Sequence, residues 1–360
     1  MTQRENAHPF ADIDGYRPAD SMQTRLYYSL REAVPLIDAA VLKTVRLTGG
    51  YRVKCKDFSA QKELDRFLEN VPVSGNRTGV HCFTDSYLEQ LLTAGTAVGE
   101  IVTDTCGNPA ALFNSPLDNI EFKRSENGFD IDIFVRNGMK LKKVDNPSLC
   151  FFSVLNPEPG KLTGNSLLKG LPFVSNILLK IYDSIGVNWE RAGNVRFAVT
   201  YNPGGDAMDR ARAGERARQI AAEWSAAMSD GDKVRDFVAA GDVQIKVIGA
   251  DNQILDSEIP VRQMLEQIVA KTGIPPFMLG LTWSSTERMS SQQADALTSE
   301  LEAYRRILTP VITRIASAYL RSTGFSGDCS VEWDDITLQD QVEQSRAMLY
   351  RAQAEKLMKG

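Results

Sequence analysis

The sequence predicts an α+β fold that comprises more than one compact unit. In the first 165 residues, helical patterns are followed by short strands, whereas a βαβ series would alternate the two. Two long helices with apolar stripes flank a charged middle segment, and a Pro-containing break separates the second of them from another long helix. We therefore expect an α+β domain, followed by two long helices with a charged segment between them.

Composition excludes several protein classes. With 360 residues the chain can bury a sizeable core. No apolar run approaches the ~18 to 20 residues that cross a bilayer, and residues 1–20 are polar, unlike a signal peptide. The five cysteines are odd in number and contain no CxxC pair, which favours reduced thiols in a cytosol-like compartment. We expect a protein that is neither secreted nor membrane-spanning.

The charge balance also restricts the function. The net charge is −5 at pH 7, whereas proteins that bind DNA through its phosphates usually present a basic face. A conventional DNA-binding domain is therefore disfavoured.

The first part of the chain predicts helices followed by a β region. Residues 1–20 lack periodicity and form an N-terminal arm, and Pro35 should kink or split the helix that begins near residue 21. Tyr51, Val53 and Cys55 alternate with polar residues as a strand does. Two amphipathic helices are expected at 60–70 and 84–97, the second capped by Thr84 or Asp85. Short segments with Gly and Asn turns at 100–154 predict an antiparallel meander.

The middle of the chain predicts a long helix and a charged helix. A Pro and Gly linker at 156–164 precedes a helix at 166–194, in which Pro172 delays the regular start. Apolar residues recur there at steps of four and three, which fits packing of one helix on another as well as ordinary core: Leu167, Leu171, Val174, Leu178, Ile181, Ile185 and Trp189.

Between 195 and 250 we expect strands on either side of a charged helix at 207–228. Four arginines lie near one end of that helix: Arg210, Arg212, Arg216 and Arg218. They form either a docking surface or a solvated helix face. Charged side chains are common on protein surfaces, so a solvated face is the simpler explanation for any single arginine. The docking hypothesis therefore concerns the region as a whole.

The stretch at 242–291 organises the rest of the chain. A strand ends at Gly249, and a helix begins near residue 257, with Asp256 or Ser257 as its cap. Gly273 can close this helix, and Pro275 and Pro276 cannot continue it. A short polar segment follows, which we expect to be displayed as a loop: Trp283, Ser284, Ser285, Thr286, Glu287 and Arg288.

The C-terminal part predicts another long helix at 292–323. Its apolar stripe comprises Leu297, Leu301, Tyr304, Leu308, Val311, Ile315 and Tyr319. Pro310 lies within this pattern and should bend the helix. A strand at 330–333 and a terminal helix at 338–357 complete the chain.

This order of elements, together with the run GIPPFMLG at 273–280, resembles the portal proteins of tailed double-stranded DNA bacteriophages. The resemblance covers most of the chain and includes no catalytic motif. It implies a portal-type subunit with the following parts: arm 1–20, α+β wing 21–165, first stem helix 166–194, small α/β clip 195–250, second stem helix 251–272, hinge and tunnel loop 273–291, long kinked wing helix 292–323, and C-terminal strand with a short crown helix 324–360.

The resemblance also implies partners and a location. About twelve subunits would form a ring at one capsid vertex of the virion, assembled in the cytoplasm of a bacterial host, with double-stranded DNA held non-specifically in the channel. The clip would receive the terminase large subunit and later the head-tail adaptor. The wing would contact the major capsid protein, and a scaffolding protein is a further candidate partner. No membrane contact is implied.

In such a ring the tunnel loop would project into the bore. Trp283 could press on DNA or anchor the loop against a neighbouring subunit, and the anchor is favoured because a bulky aromatic seldom remains exposed. Glu287 and Arg288 could pair between adjacent loops or face phosphates.

We find no sequence signal for catalysis, a cofactor or a metal. The two histidines are too few for a zinc site or a catalytic triad, and no nucleotide-binding glycine motif follows a strand. A rival hypothesis is a metal-dependent DNA-processing enzyme that uses carboxylates near Trp333: Glu332, Asp334, Asp335 and Asp340. A second rival is a non-viral ring-forming scaffold.

Overall fold

The chain folds into two compact units, Met1–Asn176 with Met264–Gly360, and Ile177–Gln263. The computed structural model describes residues 21–126, 131–137, 140–144, 146–193, 196–202, 207–229, 243–248, 257–281 and 287–336. The predicted arm at 1–20, the strand expected at 234–239 and the crown helix expected at 338–357 lie outside these residues. Helices and strands are both abundant, so the α+β class is confirmed.

Eight α-helices are described: α1 Ser21–Ala33, α2 Pro35–Thr48, α3 Phe58–Asn70, α4 Val80–Ala94, α5 Leu171–Gly193, α6 Ala207–Ser229, α7 Glu258–Thr272 and α8 Glu287–Ser322. The described strands are β1 Tyr51–Cys55, β2 Pro72–Val73, β3 Arg77–Thr78, β4 Thr96–Thr103, β5 Pro109–Asn114, β6 Ile120–Arg124, β7 Ile131–Asn137, β8 Lys140–Lys143, β9 Cys150–Val154, β10 Arg196–Tyr201, β11 Val243–Ile248 and β12 Cys329–Trp333. Pro35 separates α1 from α2, as its missing N–H predicts.

The described strands form four sheets. A five-stranded sheet has the order β3-β2-β5-β4-β9 and contains one parallel pair, β2 with β5. Strands β6, β7 and β8 form a separate antiparallel sheet, so the meander expected at 100–154 is divided between two sheets. Two further sheets pair β1 with β12 and β10 with β11, both antiparallel.

The predicted start of α4 was wrong. The helix begins at Val80, four residues before Thr84, and Gly79 occupies the N-cap position without a side-chain cap. Val80 and Phe83 are buried, so the apolar face extends one turn further than the cap residues indicated. The Thr84 hydroxyl instead donates to the carbonyl of His81. Gly95 ends the helix in the left-handed conformation, and Ala97 belongs to β4.

The core of the first unit lies among α2, α4 and α8, which contact one another, and strand β4, which contacts α4. Its largest fully buried side chains include Ile37 on α2 and Phe83, Tyr87 and Leu91 on α4. Helix α8 contributes an apolar stripe on which every member is buried: Ala294, Leu297, Leu301, Tyr304, Leu308, Val311, Ile312, Ile315, Ala316 and Leu320. This stripe identifies α8 as the main packing element of the unit.

Helix α8 is longer than predicted and passes through Pro310 without a break. It begins at Glu287, five residues before the expected start. Pro310 cannot donate to the carbonyl of Arg306, so one helical hydrogen bond is lost there. The bend expected at this proline stays a prediction.

The segment before α5 is fixed to the end of α4 by close backbone contacts. The Gly95 carbonyl accepts from Leu155 N at 2.8 Å, and Ser166 Oγ donates to the Thr93 carbonyl at 2.6 Å. Gly164 N donates to Thr96 Oγ1 at 3.0 Å. A Cβ on Gly164 would overlap the Gly95 carbonyl oxygen and the backbone of Leu155. The two chain segments therefore cross at a point where only glycine fits.

We expect Gly164→Ala to lower the unfolding free energy by about 3 kcal/mol, because the added methyl group meets backbone atoms that cannot move aside. The matched control is Gly186→Ala on α5, where an added Cβ meets nothing within 4 Å. That change should be neutral or stabilise by up to about 1 kcal/mol, as alanine favours helix. Urea denaturation measures both. Equal midpoints for the two variants would contradict the close crossing.

Candidate interaction sites: the hinge loop and the arginine helix

The hinge, at residues 273–280, follows α7 and combines a left-handed glycine, an extended proline and a 3₁₀ turn that a second left-handed glycine ends. Gly273 has φ +71°, and its N–H donates to the Val269 carbonyl at 2.9 Å, which closes α7. Pro275 is extended, with φ −54° and ψ 141°. A 3₁₀ turn at Pro276–Leu279 follows, and Gly280 ends it at φ +77°. The break at 273–276 was predicted from the sequence, whereas the 3₁₀ turn was not.

The hinge is held in the core of the first unit. Ile274 is fully buried, and the 3₁₀ turn contacts α2. Thr272 is also buried, and its hydroxyl donates to the Ile268 carbonyl at 2.9 Å. Phe277 remains 45% exposed. The chain therefore leaves this segment from a fixed position at Leu281.

The predicted tunnel loop lies mostly outside the described residues. These undescribed positions are Trp283, Ser284, Ser285 and Thr286. Glu287 and Arg288 were expected in the loop, but the structure places them in the first turn of α8. Their polarity suggested a loop. A helical turn that lies beyond the packed apolar stripe can also be polar, so polarity does not distinguish a loop from a helix here. Residues 282–286, between Leu281 and the start of α8, lie outside the described residues.

A lysine pair lies beside the hinge. Burial lowers the pKa of Lys271, in the last turn of α7, and the nearby Lys169 cation lowers it further. Lys169 itself donates to Glu158 Oε1 at 2.8 Å and to Asn165 Oδ1 at 2.8 Å. Lys161 also binds Glu158, and the two lysines lower the pKa of this carboxyl to about 2. Positive charge therefore gathers within the first unit, near the start of α5 and the end of α7.

The four arginines of the charged helix are all exposed on α6. Ala213, Ile220 and Trp224 are the half-buried positions of this helix, and they recur along one face. Helix α6 contacts β10. At 100° per residue, Arg212 and Arg216 lie on one side of that face and Arg210 lies on its other side, whereas Arg218 lies on the outer side. The arginines therefore point in several directions and do not form a single patch.

The carboxylates near Trp333 do not form a metal site in the described part of the chain. Glu332 pairs with Lys54 at 2.5 Å across the β1–β12 sheet. Asp340 lies outside the described residues. Among residues that the structure describes, no group of three or more His, Cys, Asp or Glu side chains is placed to hold a metal ion. Within the same residues, no helix combines the length and apolarity that crossing a membrane requires.

Sequence reasoning missed the buried Arg305, which lies on the apolar side of α8. Its Nε donates to the Thr48 carbonyl at 2.8 Å, and Nη1 binds Glu302 at 3.1 Å. Its guanidinium lies 5.1 Å from the ring centroid of Trp333. The available signal was position: Arg305 follows Leu301 by four residues and precedes Leu308 by three, inside the predicted stripe.

Comparison with solved structures shows which fold this is, while no family profile and no curated protein sequence matches the chain. A chain in the neck of a native gene transfer agent particle, computed with C12 symmetry, superposes with a TM-score of 0.63 at 17% identity, over 95% of this chain and 92% of that one. This chain shares its fold with that neck protein. A chain from the neck of the empty particle, computed with C6 symmetry, gives a TM-score of 0.65 at 16% identity, with coverage of 91% and 88%.

An HK97-family phage portal protein from Corynebacterium diphtheriae is a more distant neighbour. It aligns over 88% of this chain and 94% of its own length at 15% identity, with a TM-score of 0.41. This value is too low to support an argument about the fold, and the neck proteins alone establish it.

We expect Gly273→Ala to lower the unfolding free energy by about 1 to 2 kcal/mol, because alanine is strained at φ +71°. Open space surrounds this position, so the cost is conformational and not steric. Asparagine tolerates the left-handed region, and Gly273→Asn should therefore cost less than half as much. Chemical denaturation of both variants measures the difference. A loss as large for asparagine as for alanine would contradict this explanation.

Proposed function

We propose that this chain is a portal-type subunit, which closes into a ring at one vertex of a phage-like capsid and surrounds the DNA channel. The observation that carries the proposal is the shared fold with gene transfer agent neck proteins over more than nine tenths of the chain. The C12 symmetry of one such neck supports a ring of about twelve copies. The order of elements from hinge to long helix supports the same assignment.

In this function the ring surrounds the channel through which DNA passes and provides docking surfaces for other proteins, and no catalysis is proposed. The first unit supplies the wing, with α8 at its centre. Helices α5 and α7 supply the stem, and β10, α6 and β11 supply the clip. The predicted tunnel loop, which follows the buried hinge, would face the bore. A net charge of −5 per subunit favours passage of DNA over its retention.

Exposed apolar side chains on α5 support assembly with further copies. The stripe of α5 is buried at Leu171 and Leu178, but Trp189 at its other end is 63% exposed. Tyr182, 45% exposed, lies on the same side of the helix as Trp189. Large apolar groups that share one exposed helix face are typical of interaction surfaces. We propose that a neighbouring subunit covers this face in the ring.

We expect Trp189→Glu to shift the protein from a ring to protomers, because a charged group at an apolar contact between subunits loses its hydration. The matched control is Ser184→Glu, which adds the same charge at an exposed position on the opposite side of α5. Light scattering after size exclusion measures the mass, and negative-stain imaging shows the bore. The proposal fails if the parent protein forms no ring, or if both variants assemble equally well.

The clip would receive its partners through α6. The exposed arginines there suit acidic surfaces on the terminase large subunit during packaging and on the head-tail adaptor afterwards. The wing would contact the major capsid protein. These assignments extend the family resemblance to named surfaces of this chain and place the protein in the virion.

We expect charge reversal at Arg288 to lower the DNA content of assembled particles, because a carboxylate beside the bore repels phosphates. Arg288→Lys keeps the cation and should retain packaging. Quantitative PCR of nuclease-protected DNA measures the difference between the two. Unchanged DNA content in Arg288→Glu particles would show that this residue does not face DNA.

A further inference from the structure

The two-stranded sheet of β1 and β12 places two cysteines directly opposite each other. The register pairs Tyr51 with Trp333 and Cys55 with Cys329. Both cysteines are free thiols, and both are partly exposed. They are 274 positions apart in the sequence (329 − 55), so only the fold brings them together.

The hydrogen-bond pattern between β1 and β12 identifies Cys55 and Cys329 as a non-hydrogen-bonded pair. Asp334 N donates to the Gly50 carbonyl at 2.9 Å, which makes the 50/334 pair a hydrogen-bonded one. Pairs alternate along antiparallel strands, so the 55/329 pair is of the non-hydrogen-bonded kind. Consistently, the Cys55 N–H points away from β12 and donates to Gln61 Oε1 at 2.8 Å. At such positions the Cα atoms are about 4.5 Å apart and side chains approach most closely.

Both thiols also lie on the same face of the sheet. Tyr51 and Val53 are buried on this face, whereas Arg52 and Lys54 are exposed on the other. The opposed rings of Tyr51 and Trp333 approach to 4.9 Å between centroids, which shows that opposed side chains on this face meet. A disulfide requires Cα atoms roughly 4.4 to 6.8 Å apart and side chains that converge. The separation expected for a non-hydrogen-bonded pair lies in this range, and Cys55 and Cys329 share one face of the sheet.

Little holds either thiol in its present orientation. Cys55 Sγ lies 3.4 Å from the Asp57 carbonyl and 3.4 Å from Gln61 Oε1. Cys329 Sγ lies 3.8 Å from the Thr313 carbonyl and 3.6 Å from Ser317 Oγ. Thiols are weak donors, so rotation of either side chain toward the other forfeits little.

We propose that Cys55 and Cys329 form an oxidation site at which a cross-strand disulfide joins β1 to β12. A small disulfide such as oxidised glutathione is the oxidant. One protein thiolate attacks it, releases one thiol and forms a mixed disulfide. The second protein thiolate then attacks the protein sulfur and releases the second small thiol. The protein loses two protons and two electrons, and the oxidant gains them.

The bond would close a chain segment that contains α3 through α8. Long closed segments restrict the unfolded chain most, so the bond should stabilise the folded state strongly. Burial raises the pKa of the Cys55 thiol, and the charges of Asp57 and Asp65 contribute to this rise, which slows its oxidation at neutral pH. Resting on the proposed function, the pair stays reduced during assembly in the cell and oxidises after the particle is released.

The test uses the purified full chain, incubated with oxidised glutathione and digested without reductant. Mass spectrometry should find one peptide pair that links Cys55 to Cys329, and thermal denaturation should show a rise of roughly 5 °C in Tm. Cys55→Ser and Cys329→Ser should each abolish the link and the rise. Cys82→Ser and Cys106→Ser, at cysteines outside this sheet, should retain both.

The proposal is overturned if Cys55 and Cys329 remain thiols, or carry separate glutathiones, after the exposed Cys106 has been fully modified. A link from either residue to another cysteine overturns it as well. Peptide mapping of the parent protein decides these outcomes even if a serine variant fails to fold. None of the measurements needs a ring, so failure here is distinguishable from failure of the portal proposal, which imaging decides.

Discussion

The packing of α8 across α2, α3 and α4 is the interaction on which the first unit depends. Its buried stripe supplies apolar contact along most of a 36-residue helix. Arg305 interrupts this stripe, and a buried guanidinium destabilises a core unless its charge and donors are matched. Nε donates to the Thr48 carbonyl, Nη1 binds Glu302 and the guanidinium lies over the ring of Trp333, while Nη2 has no hydrogen-bond partner within the described residues. One side chain thereby joins α8, the end of α2 and strand β12.

The same packing fixes the described segments on either side of residues 282–286. On one side Ile274 is buried and the hinge contacts α2, and on the other α8 begins and runs into the core. Both flanking segments therefore belong to one packed unit. A rigid scaffold of this kind commonly determines the position of binding residues.

Local patterns in the sequence predicted most helices, because each amphipathic stripe reports its own periodicity. The breaks at Pro35 and Gly273 were also predictable, as proline and glycine restrict the backbone directly. The pairing of the strands could not be predicted in this way. The pairing of β1 with β12 joins residues more than 270 positions apart, and no local signal records it. The start of α8 was missed because a polar helical turn and a polar loop have the same composition.

A two-stranded sheet is marginally stable by itself, so β1 and β12 depend on what covers them. Tyr51 and Val53 are buried on the inner face, and Gln61 binds the outer edge of β1 through Val53 O and Cys55 N. This edge would otherwise be open to another strand. Since β12 follows α8 and β1 follows α2, the sheet joins parts of the chain that are distant in sequence. A covalent link across it would close the long segment between them, and long closed segments restrict the unfolded chain most.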